Sequence, residues 1–297
     1  MRIKRRVWVP LAVVGALVVG KHFLLDTAAQ PVGTFVIDLG ALHRAATSAG
    51  ALPERIEVER VAEFAFPRSF VVAGEGFRMH PMVLLSHRVL WPDRSLVIDT
   101  AMPPEAVKKM PRGKVDEAAY ARVQAAIRKA DAILFTHEHP DHVGGVTHDF
   151  DRIGSEVLMT REQLTGPKLD RDQFPPGALD RLKPLDYEGL YAVAAGVVLQ
   201  KAPGHSKGSQ LVYVELASGA RFLFVGDIVW SLDNIREQIG RPGVARLLMG
   251  EDRGAVAAQV QALGHLPHDV HVIVAHDPVA LEDDLKAGLY SQGFSGL

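Results

Sequence analysis

Apolar positions along this chain fall into short runs cut by polar turns, and the spacing within each run predicts its structure. Strand-like runs occur at "RVLWPDRSLVIDT" (88–100), which reads as two strands joined by a Pro-Asp turn, and at "DAILFT" (131–136). Further β-rich runs are "SEVLMT", "GLYAVAAGVVLQKA", "QLVYVEL", "RFLFVGD" and "VHVIVAH". Helical spacing appears in "KVDEAAYARVQAAIRKA", where Val115, Ala119, Val123 and Ile127 share a face, and near "DRGAVAAQVQALGHL" and "ALEDDLKAGLY". Residues 161–181 are polar and rich in Pro and Gly, and predict a loop over one edge. Strands and helices alternate irregularly, with adjacent strand pairs as well as strand–helix units. That order favours an α/β fold of two mixed sheets covered by helices over a doubly wound parallel sheet.

The start of the chain has a different pattern. "MRIKRR" precedes an apolar run from Val7 to Gly20, and Thr27-Ala28-Ala29 follows as a small-residue site. Residues 1–29 therefore read as an export signal peptide or as a retained membrane anchor from Val7 to Leu25. Either reading places the remainder outside the cytoplasm, in the periplasm or tethered to the membrane. Residues 30–297 read as one domain, with a loosely attached start up to about Pro53.

Composition narrows the chemistry. Nearly half of the 297 residues are apolar, enough for a large core, and there is no cysteine. Histidine and carboxylate are then the strong metal ligands available. The formal net charge is −2 with no basic stripe interleaved with aromatics, so nucleic acid is a poor partner. A small-molecule substrate fits better; oligomeric state is not legible.

The informative pattern is where the apolar runs stop. "SLVID" ends at Asp99, "AILFTH" at His137, "FLFVGD" at Asp227 and "VIVAH" at His276, while "VVLQKAPGH" reaches His205 after a turn. Side chains at strand ends sit on a rigid scaffold outside the packed core. If these ends share an edge, they form one polar cluster. "THEHPDHVGG" adds His137, His139, Asp141 and His142 within six positions. In an extended loop His137 and His139 face one way and Glu138 the other. Pro140 suits the first turn of a helix, so Asp141 and His142 serve a second point in space. One segment thus offers ligands to two neighbouring ions.

This H-x-H-x-D-H motif, with "APGHSKGS", "FVGDI" and a strand-end histidine, resembles the metallo-β-lactamase superfamily from about Asp99 to Asp277. The resemblance implies an αββα sandwich with a two-metal site on one edge. It implies that His137, His139 and His205 hold one ion, that Asp141, His142 and His276 hold the other, and that Asp227 bridges them. Asp99 becomes a supporting residue behind the ligands, and either it or Asp277 would accept a hydrogen bond from an imidazole. The implied cofactor is two Zn²⁺, with Fe or Mn as other metals such ligands accept. The implied activity is hydrolysis of an ester, lactone, thioester or amide by metal-activated hydroxide, with Asp141 also catalytic. Sulfur dioxygenases of the superfamily, which use a single iron, offer the alternative. N-acyl-homoserine lactonases carry a tyrosine three residues after the bridging aspartate. Here Trp230 stands there, a candidate for the substrate-pocket wall. Glyoxalase II enzymes add a glutathione-binding region after the last ligand, where only residues 277–297 remain here.

Overall fold

A computed structural model describes residues 5–48 and 50–297. Among these, twelve strands build two sheets: β1 (Arg55–Pro67), β2 (Met79–Leu90), β3 (Ser95–Ile98), β4 (Lys114–Val115), β5 (Ala132–Leu134), β6 (Val157–Leu158), β7 (Leu190–Ala194), β8 (Val197–Lys201), β9 (Gln210–Glu215), β10 (Arg221–Phe224), β11 (Val270–Ile273) and β12 (Ser291–Gln292). The first sheet runs β12-β1-β2-β3-β5-β6 with β4 paired to β1, and the second runs β11-β10-β9-β8-β7.

Side-chain alternation explains why β3 and β9 carry apolar residues on both faces along their middles. On β3, Leu96 and Ile98 face the second sheet while Val97 faces outward, and on β9 Val212 and Val214 face inward while Leu211 and Tyr213 face outward. Both faces are covered, so both are mainly apolar. The inner faces meet in one core containing Ile56, Leu199 and Phe222. The outside of the first sheet packs on helix Glu117–Ile127 through Val123, Ala126 and Ile127. Helices Leu39–Ala46 and Arg253–Leu263 cover the second through Leu42, Ala46, Val256 and Val260. Each fully buried Leu, Ile, Val or Phe contributes about 1.5–3 kcal/mol. The result is the expected four-layer αββα sandwich.

Two elements depart from the sequence reading. The start of the domain is not loosely attached: Asp38 caps helix Leu39–Ala46 by accepting from Ala41 N at 2.9 Å, and Leu42 and Ala46 are wholly buried. Its few apolar residues are short but fall on one face. The longest strand, β1, was not expected, because Glu57, Glu59 and Arg60 break its apolar pattern. Glu59 is nonetheless buried, paired with Arg122 at 2.6 and 2.9 Å and accepting from Phe294 N at 2.6 Å. The polar 161–181 stretch is mainly loop, apart from a capped turn of helix at Arg161–Leu164 and two 3₁₀ turns.

Of the expected leader, residues 1–4 lie outside the described residues. Arg5–Lys21 is helical, and a π-turn at His22–Asp26 follows. Among the described residues no helix is long and apolar enough to cross a membrane.

Candidate metal centre

Parallel pairing brings the functional strand ends together. β3 and β5 run parallel in one sheet and β10 and β11 in the other, so Asp99, His137, Asp227 and His276 emerge along one edge. Asp99 turns sharply there, with φ of 55°, a left-handed conformation costing on the order of 1–3 kcal/mol outside glycine. Its carboxylate compensates by accepting from Thr136 N, Thr136 Oγ1 and His142 Nδ1, each at 2.8 Å. Gly226, with φ of 50°, lets Asp227 approach the same threonine, since a Cβ there would lie 2.6 Å from Thr136 Cβ. Pro140 occupies the first position of helix Pro140–Val143, with His139 at its cap. Gly145 seats the segment after this helix on the β3 end, where a Cβ would come within 2.2 Å of Thr100 O.

Two groups of ligand-type atoms result, each with all members within 4.8 Å of one another: His137, His139, His205 and Asp227, and Asp141, His142, Asp227 and His276. In the first, His139 Nδ1 and His205 Nε2 are 3.1 Å apart, and Asp227 Oδ2 lies 3.3 Å from His205 Nε2 and 3.8 Å from His137 Nε2. In the second, Asp227 Oδ1 lies 3.3 Å from His142 Nε2 and 3.0 Å from His276 Nε2, while Asp141 Oδ2 is 3.7 and 3.6 Å from the same nitrogens. Atoms held about 2.0–2.2 Å from a tetrahedral ion stand roughly 3.3–3.6 Å apart, so the spacing fits. His137 Nε2, His142 Nε2 and Asp227 Oδ1 are buried with no hydrogen-bond partner. Orphaned lone pairs of this kind are costly unless a cation satisfies them.

Electrostatics follow from this crowding. Burial, then the neighbouring His142 and His139, hold the His137 imidazole well below its usual pKa, and burial with His205 lowers His139 to about 3. Burial alone would raise Asp227, but His276, His137 and His142 hold it well below the carboxylate range. For His142 burial is outweighed by Asp99, Asp141 and Asp227, which raise it well above 6.5; for His276 Asp227 does the same in the upward direction.

The outward nitrogens have acceptors that aim the inward lone pairs. His142 Nδ1 meets Asp99, His276 Nδ1 meets Val83 O at 2.8 Å, and His205 Nδ1 meets Glu251 Oε2 at 3.1 Å. Such partners fix the tautomer and ring orientation. Asp99 makes the imidazole contact expected of it, to His142 Nδ1; Asp277 instead caps helix Pro278–Lys286 and accepts from Ser231 Oγ at 2.8 Å. Glu251 is itself held by the buried Arg241, whose Nη2 also donates to Asp227 O at 2.5 Å. Neither residue was legible as functional: both lie in "IGRPGVARLLMGED", on either side of the short helix Val244–Met249, and neither ends a strand-like run. Trp230 donates from Nε1 to Asp227 Oδ2 at 2.7 Å and lies against Phe66, with the Arg241 guanidinium 5.0 Å from its ring. His80 sits beside Arg68, and His148 is exposed near Glu105, so neither joins the cluster.

A cavity of about 280 Å³ adjoins the first group, lined by His205, Ser206, Lys207, Lys168, Met249 and Glu138 among others. Trp230 does not line it. Glu138 faces away from the ligands as expected, buried and accepting from Ser206 Oγ at 2.7 Å.

An αββα sandwich carrying two histidine–carboxylate groups around one shared aspartate defines a class of metal-site proteins. A sequence model of the family described as the metallo-beta-lactamase superfamily matches residues 89–276, more than half of the chain. The chain belongs to this superfamily. It is similar to the hydroxyacylglutathione hydrolase of Aeromonas hydrophila subsp. hydrophila, at 32% identity over 162 residues, covering 54% of this chain and 53% of that protein. An N-acyl homoserine lactonase of Bacillus thuringiensis is 23% identical over 163 residues, covering 48% and 63%. The chain thus spans about half the length of the first of these relatives. In fold it resembles an N-acyl homoserine lactone hydrolase solved with N-hexanoyl-L-homoserine at its catalytic metal centre, with TM-score 0.61 and 17% identity, covering 78% of this chain and 96% of that one. A dizinc quorum-quenching lactonase gives TM-score 0.54 at 14% identity, covering 76% and 89%.

Proposed function

We propose that the chain is a hydrolase using two zinc ions, acting on an ester-type bond of a small molecule, with a lactone or thioester as the favoured substrate. The carrying observation is the pair of four-residue groups meeting at Asp227. His137, His139 and His205 would hold one ion and Asp141, His142 and His276 the other, with Asp227 shared. Bound there, such ions supply a water ionised near neutral pH and Lewis-acid polarisation of a carbonyl.

The chain's own residues prepare the site for that chemistry. Asp99, the Val83 carbonyl and Glu251 hold the outward N–H of His142, His276 and His205, so that each Nε2 lone pair points inward. Trp230 N–H and the Arg241 contact to the Asp227 carbonyl fix the shared carboxylate. Asp141 alone among the ligand side chains keeps a sizeable exposed fraction, about 20%. That makes it the group able to pass a proton to a departing oxygen or sulfur. The names of the relatives, an acylglutathione hydrolase and a lactonase, support an acyl centre, and the cavity beside His205 suits a small substrate. In this reading residues 1–29 export or tether the domain of residues 30–297.

The test is to assay zinc-loaded protein on lactones, thioesters, β-lactams and phosphodiesters. Turnover of a lactone or thioester, lost in a folded His139→Ala variant, is the expected result. No turnover of any class, full activity in the metal-loaded variant, or one iron per chain with oxygen consumption would overturn it.

A further inference from the structure

Large apolar side chains left in water are concentrated in one part of this molecule. Beyond Val32, Val36, Tyr191 and Val279, those among the described residues lie in the N-terminal segment, in the loop at Phe77, or on the short helix Val244–Met249, at Leu247 and Leu248. This loop and the start of this helix meet the segment's end. Gly74 N donates to Leu25 O at 3.0 Å, Ala73 N donates to Gly240 O at 3.1 Å, and Gly243 lies so close to Phe23 O that a Cβ there would be 2.3 Å away. The rim so assembled presents Phe23 (64% exposed), Phe77 (57%), Leu247 (71%) and Leu248 (55%).

We propose that this rim rests on a lipid bilayer, as a contact of the folded domain in addition to the N-terminal segment. The inference does not depend on the catalytic reading. Two observations favour lipid over a second protein copy. Residues 13–19 of the helix, "VVGALVV", are all exposed, so apolar surface faces every direction and no single protein face would cover it. The rim is also flanked by four exposed cations, Arg78, Lys168, Lys207 and Arg246, against the two exposed acids Glu75 and Asp252, and this positive balance suits anionic headgroups. Leucine and phenylalanine at an interface, with basic neighbours, are the usual composition of a peripheral membrane contact. Lys168 Nζ donates to Leu248 O, and Lys168 and Met249 line the cavity at His205, so the cavity mouth borders the proposed lipid surface.

Because the chain has no cysteine, a single nitroxide can be placed by Leu247→Cys, Phe77→Cys or Val279→Cys in the full-length protein. With vesicles of phosphatidylcholine and phosphatidylglycerol, power-saturation EPR should show labels at 247 and 77 moving from a nickel-accessible to an oxygen-accessible environment. The label at 279 should not change. The triple variant Phe77→Ser, Leu247→Ser, Leu248→Ser should lose about 10-fold or more in vesicle partitioning. Labels at 247 and 77 that remain as nickel-accessible as in solution while the protein co-floats would overturn the proposal. So would spin–spin broadening at 247 without vesicles, which would mean that a second copy covers the rim.

Discussion

His137, His139 and His205 are wholly or almost wholly enclosed, whereas Asp141, across the shared Asp227, keeps a solvent-facing carboxylate. The two groups are also supported differently. The first is backed by the buried Arg241–Glu251 pair, brought in by the segment after β10. The second is backed by Asp99, held in a left-handed turn at the end of β3, and by the Val83 carbonyl. The contrast teaches that one group is fixed from a late, irregular segment and the other by the sheet itself. Damage to each should therefore read out differently: in global stability for the first, in metal retention for the second.

The largest effect should come from removing what the groups share. Asp227→Ala removes the carboxylate common to both groups, and under the proposed two-zinc reading kcat/KM should fall by about 10⁴-fold or more with zinc content dropping below one per chain. Near-normal turnover by that variant would break the comparison. Glu251→Ala leaves Arg241 buried without its carboxylate, so urea melts should show a loss of about 3–5 kcal/mol. A loss below about 1 kcal/mol would mean that the first group does not depend on this pair.

A buried histidine outside both groups sharpens the contrast. His87 lies between the sheets against Phe224, its Nε2 unpartnered, and burial lowers its pKa to about 3. The folded state therefore resists protonation while the unfolded chain accepts a proton below about pH 6.5. Stability from this residue is complete above that pH and is lost as pH falls toward 3. Between pH 7 and 4.5 the wild type should lose about 2–3 kcal/mol more than His87→Leu in denaturant melts. Equal pH dependence would refute the assignment. Asp99→Asn should have the mildest effect, weakening metal retention by about 10–100-fold in chelator competition with little change in stability. A stability loss as large as that of Glu251→Ala would erase the difference between the two supports.

The sequence discloses the ligand-type residues more readily than their supports, for a physical reason. Asp99, His137, Asp227 and His276 end runs apolar on both faces, and a covered strand that stops at an imidazole or carboxylate is visible without coordinates. His139, Asp141 and His142 follow from the local geometry around Pro140. Arg241 and Glu251 belong to no periodic element, and their meeting with His205 depends on how a loop folds back, which local pattern does not encode. β1 escaped for a related reason: Glu57 and Glu59 look solvent-facing in sequence, yet their partners Arg122 and Ser295 lie far along the chain. The short helix Leu39–Ala46 became legible only once the second sheet offered it a surface.

Anomalous diffraction at the zinc edge, from crystals of the zinc-loaded protein, tests the shared-aspartate site most directly. Two peaks are expected, one about 2.0–2.2 Å from nitrogens of His137, His139 and His205, and one equally close to His142, His276 and Asp141, each also touching Asp227. A single peak, or two peaks of which neither contacts Asp227, would contradict the account.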